Sequence, residues 1–203
     1  MSAKKAGLLV VDVQNDFCPG GALAVPEGHR VVPVLNEYLR RFAAAGLPIY
    51  ASRDWHPEHT RHFQAHGGPW PPHCVQGTPG AAFHPDLELP PSTVIVTKGS
   101  DPEEDAYSAF HGRTPEGEPL AERLRRDGVT HLYIGGLATD YCVRASALDA
   151  LDMGLAVTVL TDAIRGVEVQ PGDSQRAIEE MAARGATFGT LESVPPEVLE
   201  ADA

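Results

Sequence analysis

The chain has 203 residues, of which 42% are hydrophobic and 22% charged, a composition typical of a soluble globular protein with one sizeable core. Its net charge of −12 excludes the basic surface that nucleic acids and anionic membranes require, and it identifies no partner. Three cysteines cannot form a disulfide framework, and no apolar stretch is long enough for a signal peptide or a membrane span. We therefore expect a cytoplasmic protein, monomeric or homo-oligomeric, that binds neither nucleic acid nor membrane.

Apolar runs alternate with amphipathic segments from the start of the chain. GLLVV predicts a buried parallel strand that ends at Asp12, and HRVVPVLNEYLRRFAAAG predicts a helix that stops at Gly46. PIYASRDWH predicts a second strand that ends in Asp54 and His56. The following stretch, 57–91, is rich in proline, glycine and histidine and has little periodicity. A loop of this length inside a domain is usually functional or disordered, and its aromatic and histidine residues favour a functional one.

The second half of the chain repeats the alternation. STVIVTKGS predicts a strand with Lys98 just past its apolar run, and PLAERLRRDG predicts a helix. HLYIGGLATDYC predicts a strand and a tight bend that lead to Cys142, which stands near the first turn of the helix RASALDALDMG. AVTVLTDAIRG and ATFGT predict the last two strands. Between them, DSQRAIEEMAARG predicts a helix capped by Asp173 or Ser174.

This order of elements predicts an α/β fold, a three-layer α/β/α sandwich around a mostly parallel six-stranded sheet. No linker or internal repeat divides the sequence. We therefore expect one domain over residues 1–203, with a core of about 7–190 and an acidic C-terminal tail at 191–203.

Three ionisable side chains stand at predicted strand ends, where ligands bind in open α/β sheets: Asp12, Lys98 and Cys142. Backbone N–H groups at a helix start and a nearby ammonium both favour a thiolate, so Cys142 is a candidate nucleophile. A carboxylate beside it can carry its proton. Each residue also has a plain structural interpretation, as a loop cap, a solvated lysine and a small buried residue. Cys18 and Cys74 have no ionised neighbour at a telling spacing and are interpreted as structural.

A second candidate site lies at the second strand and the loop after it. Asp54 and His56 are two residues apart on a strand and so face the same side, and His62 and His73 can fold back towards them. Such a mixture of oxygen and nitrogen ligands suits one divalent ion such as Zn, Fe or Mn. Spacing alone does not exclude three further histidines, namely His59, His66 and His84.

Four aromatic residues flank these two groups in the sequence. Phe17, Trp70 and Tyr107 are candidate walls of a pocket for a flat ring, although ordinary core or lid packing is the alternative. For Tyr141 we expect ordinary packing.

Several motifs, taken together, resemble the nicotinamidases of the isochorismatase-like cysteine hydrolase superfamily. They are VVDVQNDFCPGGALAV, SRDWHP, WPPHCVQGTPGA, TKG and GLATDYCVRASALDA, and they occur in the family's order. The likeness extends from about residue 7 to about residue 190. It implies the same α/β/α sandwich.

The resemblance implies a catalytic triad of Asp12, Lys98 and Cys142. It also implies a cis peptide between Leu137 and Ala138 that directs the N–H groups of Ala138 and Cys142 into an oxyanion hole. The metal ligands that it implies are Asp54, His56, His62 and His73.

The implied reaction is hydrolysis of nicotinamide to nicotinate and ammonia in NAD salvage, with the ring between Phe17 and Trp70 and with Tyr107 nearby. The metal is expected to orient the ring, and metal-activated water is the rival role. Two other functions stay open: an amidase for N-carbamoyl or ureido compounds, and an inactive binding module. An isochorismatase lacks a nucleophilic cysteine, so Cys142 disfavours that activity. The acidic segment SDPEEDAYSAF departs from the expected pattern and leaves the local shape open.

Overall fold

A computed structural model describes residues 4–194 of the chain. Its centre is one six-stranded sheet of order β3-β2-β1-β4-β5-β6, in which every pairing is parallel. The predicted sheet is therefore confirmed. Most of the expected acidic tail, from residue 195 onwards, lies outside the described residues. The strands are β1 Ala6–Val11, β2 Ile49–Asp54, β3 Val94–Lys98, β4 His131–Leu137, β5 Ala156–Arg165 and β6 Thr187–Gly189.

Helices cover the two faces of the sheet unequally. The helix α1 packs on one face through an apolar stripe that includes Leu35, Tyr38 and Phe42, and the long loop after β2 covers much of the rest of that face. The other three helices pack on the opposite face. The predicted three layers are present, but one outer layer is built largely of loop. The helices are α1 Val31–Ala44, α2 Leu120–Asp127, α3 Arg144–Asp152 and α4 Asp173–Ala183.

The start of α4 differs from the sequence prediction. Neither Asp173 nor Ser174 caps this helix with its side chain, because Gly172 is the N-cap residue. Instead, the Glu168 carboxylate accepts hydrogen bonds from the backbone N–H groups of Gly172 and Ser174, at 2.8 and 2.9 Å. A carboxylate from outside the helix thus satisfies N–H groups that the helix itself leaves free.

The close approach of β1 and β4 brings together the strand ends that carry the candidate residues. Gly136 has a φ of +120°, and a Cβ atom there would lie 2.2 Å from the carbonyl oxygen of Val11. Only glycine allows this backbone contact next to Asp12. Among the described residues, no helix is long and apolar enough to cross a membrane.

Candidate active site

Asp12 follows directly after β1, at the carboxyl end of that strand. Its side chain is completely buried and its φ is +49°, a left-handed conformation that turns the chain away from the strand direction. Neighbouring β2 holds it twice: the backbone N–H of Asp12 donates to the carbonyl of Ser52 at 3.1 Å, and the Ser52 hydroxyl donates to Asp12 Oδ1 at 2.7 Å. Sequence reasoning missed Ser52, whose position on the strand gave no sign of this contact.

Lys98 ends β3 and joins the other groups into one cluster. Its side chain is buried, and its Nζ lies 2.8 Å from Asp12 Oδ2 and 3.6 Å from Cys142 Sγ. The same ammonium donates to Asp54 Oδ1 and, at 2.9 Å, to the carbonyl of Ala106. Lys98 is therefore a fixed positive charge between two carboxylates and a thiol. It is not a solvated surface lysine, which was the alternative interpretation from the sequence.

Cys142 lies in a π-helical turn, Thr139–Val143, that leads into α3. The peptide bond between Leu137 and Ala138 is cis, as the resemblance implies. Val143 N–H donates to the carbonyl of Ala138 at 3.1 Å, so the turn folds tightly after the strand. The thiol is buried, and Lys98 Nζ contacts both its sulfur and the Asp12 carboxylate. The structure thus brings together all three residues of the predicted triad.

The protonation of the thiol differs from the sequence expectation. Burial raises the pKa of Cys142 well above its usual value and outweighs the opposing effect of Lys98. Burial also raises the pKa of Asp12, and the nearby charge of Asp54 adds to the increase. This direction opposes the expected bias towards a resting thiolate. A protonated thiol in this setting needs a base, and Asp12 is the carboxylate beside it.

The predicted metal-binding histidines converge next to this cluster. Ring nitrogens of His56, His62 and His73 all lie within 4.8 Å of one another, and all three side chains are buried. Asp54 Oδ2 lies 3.4 Å from His56 Nε2 and 3.8 Å from His73 Nε2. Burial lowers the pKa of His73 to about 4 and also lowers that of His62. Low pKa values favour the neutral imidazoles that a metal needs.

Each of the three imidazoles is held through Nδ1. His56 Nδ1 bonds the Gly99 carbonyl at 3.1 Å, and His73 Nδ1 bonds the Pro71 carbonyl at 2.8 Å. His62 Nδ1 bonds the Asp105 carboxylate at 2.7 Å. These oxygens only accept hydrogen bonds, so in the neutral rings the proton is on Nδ1 and the Nε2 lone pair is free.

A further observation shows that the residues at this site fit a divalent ion. His56 Nε2 is buried and has no hydrogen-bond partner among the described residues, as expected of a nitrogen that ligates a metal. Asp105 comes from the acidic segment whose shape was left open, and it was missed as a support for His62.

Asp54 connects the metal-binding group to the triad. One carboxylate oxygen pairs with Lys98 and the other faces the histidines. Although burial opposes its charge, Lys98 and the imidazoles hold the pKa of Asp54 below its usual range. Gln14, also missed from the sequence, fixes the Asp54 backbone: its side-chain oxygen accepts from Asp54 N–H and its amide group donates to Asp54 O, each at 2.8 Å.

A cavity opens between the thiol and the histidines. Trp70 Nε1 donates to the Tyr107 hydroxyl at 3.0 Å, and the Tyr141 ring packs edge-on against Trp70 with the centroids 5.0 Å apart. Tyr141 thus packs on the aromatic residues at the cavity, in keeping with the expected core or lid packing, and its side chain also forms part of the cavity lining. The lining also includes the predicted Phe17, Trp70, Tyr107 and Ala138, and the unpredicted Leu23, Val25 and Val167.

Other residues considered from the sequence lie elsewhere. His59 and His66 are exposed and contact each other at 3.3 Å. His84 packs near Asn36 at a separate surface groove. Cys18 and Cys74 are buried and free, and burial raises the pKa of both thiols. Neither lines the cavity, in keeping with the structural interpretation.

Comparison with known proteins agrees with the resemblance noted in the sequence. The model of the family described as the isochorismatase domain matches residues 6–193. A nicotinamidase of Escherichia coli (strain K12) is 44% identical over 201 residues, which cover 91% of this chain and 94% of that protein.

Two solved structures extend the likeness to three dimensions. The pyrazinamidase of Pyrococcus horikoshii in complex with zinc aligns with a TM-score of 0.85 and 50% identity, over 92% of this chain and 99% of that one. A protein from L. infantum in complex with nicotinate aligns with a TM-score of 0.80 and 32% identity, over 95% and 96% of the two chains.

Proposed function

The chain belongs to the isochorismatase domain family, and from that membership and its site we propose that it is a nicotinamidase, which hydrolyses nicotinamide to nicotinate and ammonia. We place the reaction in NAD salvage and the protein in the cytoplasm. The similarity to a nicotinamidase over most of both chains supports the activity. The nicotinate complex of the L. infantum relative supports a pyridine carboxylate as the product.

One observation carries the chemical proposal: a buried ammonium, a buried carboxylate and a thiol meet at the edge of an apolar cavity. Lys98 Nζ is 2.8 Å from Asp12 Oδ2 and 3.6 Å from Cys142 Sγ. Such a group can activate a nucleophile and return its proton in a site that largely excludes water.

In the first half of the proposed reaction, Asp12 takes the proton of the Cys142 thiol as Sγ bonds to the amide carbon. The carbonyl oxygen becomes an oxyanion, which the N–H groups of Ala138 and Cys142 would stabilise. Asp12 then gives its proton to the amide nitrogen. The C–N bond breaks, ammonia leaves, and a thioester remains on Cys142.

In the second half, water replaces ammonia next to Asp12. The carboxylate takes a proton from that water as its oxygen bonds to the thioester carbon. The C–S bond breaks, Asp12 returns the proton to the sulfur, and the nicotinic acid that forms releases its carboxylic proton to solvent to give nicotinate. Throughout, Lys98 holds the carboxylate in place and balances its charge, because two buried carboxylates and a developing thiolate share this one cation.

Asp54, His56, His62 and His73 would hold one divalent ion, and Zn, Fe and Mn all suit this set of donors. A bound ion would supply a Lewis-acid contact for the pyridine nitrogen. The zinc complex of the P. horikoshii relative supports a metal in this family.

The cavity walls would place the ring. Phe17 and Trp70 are its aromatic walls, and the Tyr107 hydroxyl fixes the indole of Trp70 through the 3.0 Å hydrogen bond. A flat ring packed between these aromatic side chains would direct its amide towards the thiol, which also lines the cavity.

The test is an ammonia-release assay on the purified protein with nicotinamide, pyrazinamide and N-carbamoyl and ureido amides, with and without a chelator. We expect preferential turnover of the pyridine amide and loss of activity with chelator. Turnover of a carbamoyl compound in preference to nicotinamide would support the related amidases instead, and no turnover of any amide would support an inactive binding module.

Two variants separate the role of the nucleophile from that of the metal-binding residues. Cys142→Ala should abolish ammonia release and retain metal, whereas His56→Ala should lose metal and bind substrate more weakly. Elemental analysis of both proteins provides the metal content. Loss of metal with retained turnover in Cys142→Ala would reverse the assignment of the nucleophile, and unchanged metal content in His56→Ala would remove that residue from the ligands.

A further inference from the structure

Asp140, two residues before the candidate nucleophile, bonds a separate segment of the chain. Its Oδ1 accepts a hydrogen bond from Val167 N–H at 2.9 Å and its Oδ2 accepts one from Glu168 N–H at 2.8 Å. A carboxylate that receives two successive backbone N–H groups holds that segment in both position and orientation. The π-helical turn that carries Cys142 is thereby tied to the segment after β5.

The bonded segment has a shape that depends on this contact. Glu168 has a φ of +57°, which is rare for a residue with a side chain, and its carboxylate bonds forward to Gly172 and Ser174 N–H. At Gly166 a Cβ atom would lie 1.8 Å from Ser174 Oγ and 3.3 Å from Asp140 Oδ1. The backbone thus passes through a narrow gap between Asp140 and α4.

Val167 itself lines the cavity, as do Leu137 and Tyr141. We propose that Asp140 is a positioning residue that sets how tightly the cavity encloses the substrate ring, by fixing Val167 against the turn that carries Cys142. This inference rests on the proposed amide hydrolysis. Asp140 does not line the cavity, so it acts through Val167 and not by contact with the ring.

The key variant is Asp140→Asn, which keeps the size of the side chain. Its amide oxygen can accept from only one backbone N–H, and its NH₂ group faces the other, so one of two charge-assisted bonds is lost. We expect KM for nicotinamide to rise about tenfold, the effect of one such hydrogen bond, while kcat changes less than twofold. Asp140→Asn should also discriminate less strongly than the wild type between nicotinamide and amides with an extra ring substituent, because Val167 can move away from the ring.

A cycle with Val167→Ala distinguishes positioning from a general structural effect. If Asp140 acts through the Val167 side chain, Asp140→Asn should change KM less than twofold in the Val167→Ala protein. An equal rise in KM in both backgrounds, an unchanged KM, or a fall in kcat at constant KM would each overturn the proposal. Turnover of nicotinamide by the wild-type protein is measured in the same series. If the wild type does not turn over nicotinamide, the proposed function itself is refuted, together with the positioning role that rests on it.

A second variant and a matched control complete the design. Glu168→Ala alters the same segment from an exposed side chain, and we expect the same rise in KM with the same dependence on Val167. Glu180→Gln removes one carboxylate charge from the charged cleft that Asp140 also lines, but its contact is with Arg144, and it should match the wild type. A rise in KM in this control equal to that of Asp140→Asn would attribute the effect to charge and contradict the positioning role.

Discussion

Replacement of Asp105 tests how the metal-binding group is held. The Asp105 carboxylate accepts a hydrogen bond from His62 Nδ1–H at 2.7 Å and thereby leaves Nε2 free towards the other two histidines. Without this acceptor the imidazole can rotate or change tautomer, and either change removes a ligand nitrogen from the site. Asp105→Ala is therefore expected to weaken metal binding and to leave the fold intact, because the side chain lies at the surface of the loop.

The size of the effect follows from the exposure of this contact. A hydrogen bond to a charged group contributes about 1.5–3 kcal/mol, and the Asp105 side chain is 39% exposed, so solvent screening favours the lower part of that range. A loss of about 1.5–2 kcal/mol corresponds to roughly 10–30-fold weaker metal affinity. Supports of this kind typically change metal affinity about 10–100-fold, which agrees with this value.

The assay is a competition for zinc between the protein and a chromophoric chelator. Asp105→Asn keeps a neutral acceptor for His62 and should recover part of the affinity. Asp101→Ala is the control, because Asp101 lies in the same acidic segment and its carboxylate accepts a hydrogen bond from the nearby Glu103 N–H. Affinity of Asp105→Ala within twofold of the wild type, or Asp105→Asn no better than Asp105→Ala, would refute the reasoning.

Three other variants test the buried polar groups. Gln14→Ala leaves three buried backbone groups without their hydrogen-bond partner, at a cost of about 1 kcal/mol or more each. Thermal unfolding should therefore show a Tm lower by about 6–12 °C, and an unchanged Tm would contradict the assigned bonds. Lys98→Met removes the cation between Asp12 and Asp54, so denaturant titration should show a free energy of unfolding lower by about 3–5 kcal/mol. Ammonia release should fall to the background rate, and near-normal turnover would exclude Lys98 from the reaction. Cys18→Ala should keep wild-type kcat/KM, since burial raises the pKa of that thiol to about 11 and it lies outside the cavity; loss of turnover with the fold retained would show a missed role.

The sequence predicts what depends on local pattern. Buried apolar runs and helical spacing predict the six strands, and the end-of-strand rule predicts that Asp12, Lys98 and Cys142 converge, because parallel strands end at one edge of a sheet. The histidine-rich loop predicts a metal site from composition.

What the sequence does not predict depends on contacts between distant segments. Gln14 reaches β2 and the loop after it, and Asp105 reaches His62, from segments whose paths no periodicity describes. The pKa of Cys142 depends on the burial of its thiol, which a helix-start motif cannot reveal. The cap of α4 similarly depends on Glu168 returning from outside the helix.

Mass spectrometry after rapid acid quench tests the central claim most directly. Protein mixed with excess nicotinamide and quenched during turnover should carry one nicotinoyl group on the peptide that contains Cys142, and Cys142→Ala should carry none and release no ammonia. Steady ammonia release by Cys142→Ala, or a nicotinoyl group on any other residue, would contradict the account.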